Sequence, residues 1–155
     1  MNSIYVDRQL TYVDFVFSEI DKWSLDPFIE SLIAQYLAAL ICGIYEDAIE
    51  QILDEFIQKT STTIEIKNFI SNSVGNSFRN PDQSNIKRLL KLFNDQWGAQ
   101  LDGKLQTNNW EALDAIVLHK NHIAHGTRSN ITYPQIKRLF QDSKKIIKEI
   151  DLMIL

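Results

Sequence analysis

Between Pro27 and Lys59 apolar residues return every three or four positions, with no proline after the first position and a single interior glycine, Gly43. That period belongs to an α-helix. Ile29, Ile33, Tyr36, Leu40, Ile44, Ala48, Ile52 and Phe56 keep one face apolar along the whole segment. A helix of this length spans about 50 Å at the usual rise per residue. Around residues 37–44 it is apolar on every side, which predicts burial at the centre of a helical assembly. Asp26 followed by Pro27 supplies an N-cap and a first-turn proline. Gly43 reads as a bend or a close helix contact rather than a break.

The rest of the chain follows the same period. A first helix is expected over 6–22, with Val6, Leu10, Val13, Phe17 and Ile20 as its apolar stripe; its β-branched and aromatic content makes a strand the competing reading. A short helix is expected over 63–73, and the Ser-, Asn- and Gly-rich segment 71–81 reads as a loop. The next helix covers about 83–99 through Ile86, Leu89, Leu90, Phe93 and Trp97, and 101–107 is a connection. Asn108 is placed to cap a helix with Glu111 in the reciprocal position. That helix runs through Leu113, Ile116, Val117 and His119 towards Gly126 as its stop. A last helix starts near Thr132 with Pro134 in its first turn, and carries Ile136, Leu139, Phe140, Ile146, Ile147 and Ile150. The expected fold is all-α: an up-and-down bundle of four main helices plus one or two short ones, in one domain over residues 1–155.

At 155 residues and 45% hydrophobic content, such a chain buries a core without a disulfide or structural metal. Its one cysteine, Cys42, lies in an apolar run and reads as a small buried hydrophobe, with a catalytic thiol as the alternative. The N-terminus lacks the basic-then-apolar pattern of a secretory signal. The longest apolar run, Tyr36–Ile44, falls far short of the roughly 20 residues of a membrane span. The expectation is a cytoplasmic protein without a membrane partner. A net charge of −4 argues against a broadly basic nucleic-acid-binding surface, while leaving room for a local basic pocket that holds RNA. Lys137, Arg138, Lys144, Lys145 and Lys148 read as a solvated face of the last helix, or as cations for an RNA backbone.

All three histidines fall in one segment, His119-Lys120-Asn121-His122-Ile123-Ala124-His125-Gly126. Two neighbours at i, i+3 spacing could share a metal, but three fan around the helix, and only Glu111 and Asp114 are nearby carboxylates. The other chemistry is metal-free: His125 offers an imidazole that can give or take a proton, Asn121 sits one turn before it, and Lys120 brings a cation. These are the parts required for RNA cleavage through the 2′-hydroxyl, where a proton moves and phosphorane charge is offset. Read by themselves, His119 and His122 fill a helix-packing surface.

The segment Lys120–Gly126, K-N-H-I-A-H-G, resembles the R-N-x-I-A-H-G motif of one branch of the HEPN superfamily, matching at Asn121, Ile123, Ala124, His125 and Gly126. The run Leu40–Glu46, with its glycine and following glutamate, resembles the second helix of that family. The resemblance implies a helical bundle that dimerises, so that two motifs meet in a shared cleft, and metal-independent endoribonuclease activity without a cofactor. It implies toxin–antitoxin, phage-defence or RNA-processing settings, with an antitoxin or nucleotidyltransferase as the possible partner. By the same resemblance His125 is the acid–base residue, Asn121 positions it or the substrate, and Lys120 is the catalytic cation. Glu46 would be a helix-two polar residue facing the motif. From their places in the sequence, His122 and Arg128 join Glu46 as candidate substrate contacts, Arg128 either supplying a guanidinium from the loop after the motif or standing as a solvated loop charge. The departure is Lys120 itself, which keeps the family's positive charge but lacks the planar fork of arginine that suits phosphate. A dimer that binds RNA, a nucleotide or a protein without cutting is therefore the alternative.

Overall fold

The computed structural model describes residues 1–60, 63–127 and 129–155, and seven helices lie among them: α1 (Ile4–Ile20), α2 (Pro27–Lys59), α3 (Ile64–Ser77), α4 (Gln83–Phe93), α5 (Trp97–Lys104), α6 (Thr107–Ala124) and α7 (Tyr133–Ile154). No strand occurs among these residues. The fold is the expected all-α bundle. Helix α2 is its axis: α1, α3, α6 and α7 all pack against it, and α6 also packs along α7.

The sequence pattern places the core. Val6, Leu10, Val13, Phe17 and Ile20 of α1 are all buried, so the competing strand reading fails. In α2 the buried set runs from Ala34 to Ile57 and includes Leu37, Ala38, Ile41, Cys42, Tyr45, Ile49 and Ile52. By length and composition α2 is long and apolar enough to cross a bilayer, which the short uninterrupted run Tyr36–Ile44 did not suggest. Cys42 is 1% exposed, and burial pushes its thiol pKa up to about 12, so it is packing and not a nucleophile. Gly43 is exposed, and a Cβ there would meet nothing within 4 Å; within the chain it marks no close helix contact.

The ends of the chain are tied together. The Asp151 carboxylate, fully buried near the end of α7, accepts the backbone N–H of Asn2 and, at 2.8 Å, that of Ser3. Ser3 caps α1 and gives its hydroxyl to Glu55 of α2 at 2.6 Å. Two lysines of the basic run on α7 serve this packing: Lys137 pairs with Asp21 and Lys144 with Asp14, both carried by the α1 segment. They are therefore engaged and unlike the free RNA cations that the run allowed.

Three boundaries differ from expectation. Helix α3 runs on through Ser77, because Ser73 and Ser77 return their hydroxyls to the carbonyls of Phe69 and Ser73 while Val74 and Phe78 are buried. Polar composition did not break a helix that has an apolar anchor and local partners. The segment 83–99 is two helices: Asn94 leaves helical dihedrals and its side-chain oxygen takes the N–H of Gln96 at 2.8 Å. Phe93 and Trp97 still stack at 6.2 Å and both lie against Phe56, so the apolar spacing survived the break. Finally, α6 is capped two residues earlier than expected. Gln106 donates its N–H to the Asn109 side chain at 2.9 Å, and Asn109 donates to the Asp142 carbonyl of α7.

Candidate active site on the motif helix

Helix α6 ends where the motif ends. Gly126 has φ +67°, a conformation that glycine adopts without the Cβ penalty. It lets Gly126 N–H reach the Ile123 carbonyl at 3.1 Å and Thr127 N–H reach His122 at 2.8 Å, the paired bonds of a Schellman stop. His125 is the C-cap, exposed on the last turn.

The motif residues divide between two sides of α6. At about 100° per residue, His122 and His125 fall on the flank that also carries Leu118, away from the buried Leu113, Ile116 and Val117, and Asn121 lies between that flank and Val117. Asn121 and His125, four apart, are neighbours. Lys120 is about 140° around the helix from His125, towards the core side. Its ammonium donates to the side-chain oxygen of Asn80 at 2.7 Å. The structure thus turns the Lys120 ammonium to Asn80, on a different side of α6 from the His125 backbone position.

Lys120 instead joins a network that includes Glu46. Asn80, in the α3–α4 connection, donates its backbone N–H to Glu46 Oε1 at 2.7 Å and accepts from Lys120. Glu46 and Lys120 both act on Cys42 beneath them, the carboxylate raising its pKa and the ammonium lowering it. Glu46 thus reaches the motif helix through an intermediary that sequence reasoning missed. The Asn80-Pro81 pair was a legible turn signal. Nothing in it announced that the asparagine would meet a lysine forty residues away.

The other histidines are arranged differently from His125. His119 Nδ1 lies 3.0 Å from the hydroxyl of buried Ser129, and its ring meets that of His122 edge-on at 6.4 Å. Burial, helped by His122, holds the His119 pKa below the usual imidazole value. His119 therefore fastens the segment after Gly126 to the motif helix. Among the described residues no three His, Cys, Asp or Glu side chains come together as a metal site. Arg128 lies outside the described residues.

Beside the motif, Ser31 and Gln35 of α2 and Ile123, Gly126, Thr127, Ser129 and Asn130 border an open polar hollow of about 460 Å³. Next to it on α2 runs an exposed apolar stripe: Ile29, Leu32 and Tyr36 are 43%, 47% and 63% exposed. The stripe continues through exposed Ala39 to the open Gly43.

A family model described as RiboL-PSP-HEPN matches residues 9–155. No curated protein and no solved structure matches the chain.

Proposed function

Because the chain belongs to the RiboL-PSP-HEPN family, we propose that it is a metal-independent endoribonuclease that works as a homodimer in the cytoplasm. The observation that carries this reading is the end of α6: a Schellman stop at Gly126 presents His125 on an exposed turn with Asn121 beside it. In the reaction proposed, the ribose 2′-hydroxyl attacks the adjacent phosphorus and the bond to the 5′-oxygen breaks. This yields a 2′,3′-cyclic phosphate and a 5′-hydroxyl. His125 takes the proton from the 2′-hydroxyl or returns one to the leaving oxygen. Asn121 orients substrate or imidazole, and Lys120 offsets charge on the phosphorane. His122 shares the flank of His125 and contacts RNA there, while Glu46 acts through Asn80. A role for Arg128 as a further phosphate contact stays with this proposal.

One chain separates Lys120 from His125, and this supports the dimer. An apolar stripe from Ile29 to the open Gly43 runs along α2, whose Ser31 and Gln35 border the hollow beside the motif, and exposed apolar surface of this kind is characteristic of interfaces. A second copy seated on it would bring two motif helices into one cleft. In a toxin–antitoxin or defence setting, an antitoxin or a nucleotidyltransferase would act by covering that cleft.

The test is an RNA cleavage assay in EDTA. Wild type should cut, and His125→Ala should lose at least about a hundredfold in rate, the usual range for a general acid–base group. Persistent cleavage by His125→Ala would sink the role given to that residue. Tyr36→Glu should convert the dimer to a monomer in sedimentation experiments and lose cleavage with it.

One observation favours a second reading, a non-catalytic HEPN dimer that binds RNA, a nucleotide or a protein. Lysine replaces the arginine of the motif, and its ammonium is already occupied by Asn80. On that reading wild type leaves RNA intact, and Lys120→Arg gains activity.

A further inference from the structure

Asn80 is the one described non-glycine residue with positive φ, at +54°. That conformation is uncommon for a residue with a Cβ, although asparagine tolerates it better than most. Strain of this kind persists where surrounding bonds over-determine it, and it concentrates at functional sites. Here four hydrogen bonds converge on one residue. Its N–H is held by Glu46 at 2.7 Å, and its side-chain oxygen takes the Lys120 ammonium at 2.7 Å. Its carbonyl receives the N–H of Asp82 at 2.8 Å and the side-chain amide of Asn85 at 2.9 Å. Pro81 after it further disfavours the right-handed helical region. The left-handed turn lets the backbone face α2 and the side chain face α6.

We propose that Asn80 is the positioning residue for Lys120, coupling the Glu46 carboxylate on α2 to the one motif cation on α6. The inference rests on the reading above, in which Lys120 serves an RNA phosphate. Lysine has a compact ammonium on a flexible stem, and a fixed carbonyl oxygen supplies the aim that the stem lacks. The pairing also explains how lysine occupies a motif position where a planar fork is usual: the acceptor comes from outside the motif. A longer guanidinium would have to displace Asn80 or pass it.

Asn80→Gly separates this role from folding. Glycine keeps the backbone N–H for Glu46, relaxes the positive φ, and removes the side chain whose oxygen holds Lys120. Asn80→Asp restores an acceptor. The primary readout is acetylation of intact protein by a water-soluble succinimidyl ester, with Lys120 followed by peptide mass spectrometry against exposed Lys145 as internal reference. Asn80→Gly should raise the Lys120 rate at least about threefold relative to Lys145, with unchanged circular dichroism, and Asn80→Asp should return it to the wild-type rate or below. An unchanged ratio in Asn80→Gly overturns the proposal, as does failure of Asn80→Asp to restore it. The second readout is RNA cleavage: kcat should fall about tenfold in Asn80→Gly and recover in Asn80→Asp. Full kcat with loosened Lys120 would overturn the positioning role. If wild type cuts no RNA, the ribonuclease reading fails by itself, and acetylation still decides whether Asn80 holds Lys120.

Discussion

Among the carboxylates that capture backbone N–H groups from distant parts of the chain, Asp151 and Glu46 do so to different ends. Asp151 is fully buried; it takes the N–H groups of Asn2 and Ser3, and the network closes through the Ser3 hydroxyl on Glu55. Glu46 is half-buried; it takes the N–H of Asn80, and that network ends on a lysine ammonium at the edge of the motif helix. The first is fully consumed in closing the bundle. The second terminates in a group with two further N–H donors, in the segment that resembles the HEPN motif. A buried network that satisfies every atom builds structure. One that ends on a partly exposed charge leaves N–H donors that the network itself does not use.

The contrast breaks or sharpens through substitution. The largest stability effect is expected at the closed network. Asp151→Ala leaves two amide donors without their acceptor and should cost about 2–3 kcal/mol in urea unfolding, the range for hydrogen bonds to a charged group. The acetylation ratio of Lys120 to Lys145 should stay at the wild-type value; a change there would mean the networks are not separate. Glu46→Ala should cost less, about 1 kcal/mol, because Asn80 keeps the bonds from Asp82 and Asn85. It should nevertheless raise the Lys120 rate, and a loss of stability equal to that of Asp151→Ala would erase the distinction. The smallest effect concerns His119, which fastens the segment after Gly126. Its folded pKa is lowered by burial and by His122, so the unfolded chain takes up its proton first as pH falls below about 6.5. Stability linked to His119 is therefore complete above that pH and is lost as pH falls towards the folded value. The melting temperature should drop less between pH 7 and pH 5 in His119→Asn than in wild type; parallel curves would remove His119 from this role.

The two networks were unequally legible. Ser3, Glu55 and Asp151 of the closed network were not singled out, whereas Glu46 was, through the family resemblance. Asn80 was passed over inside a segment read as a loop, because its importance comes from a contact between α3–α4 and α6 that no local pattern encodes. The same limit explains Lys120. Spacing placed it one face from His125, but spacing is blind to which face the core claims. The break at Asn94 was missed for a related reason: a side chain bonding to the backbone two residues on interrupts a helix without disturbing its apolar period.

What the chain determined by itself was the helical class, the extent of α2 from Asp26-Pro27 to Lys59, and the stop of the motif helix at Gly126. All three depend on local rules: a 3.6-residue period, a cap, and a residue free to take positive φ. Only the tertiary structure decided that Cys42 is inert, that Lys137 and Lys144 are engaged by α1, and that the motif lysine belongs to Asn80. Each of these depends on the desolvation and hydrogen-bond partners that a side chain meets once distant helices pack together, and those are properties of the assembled bundle.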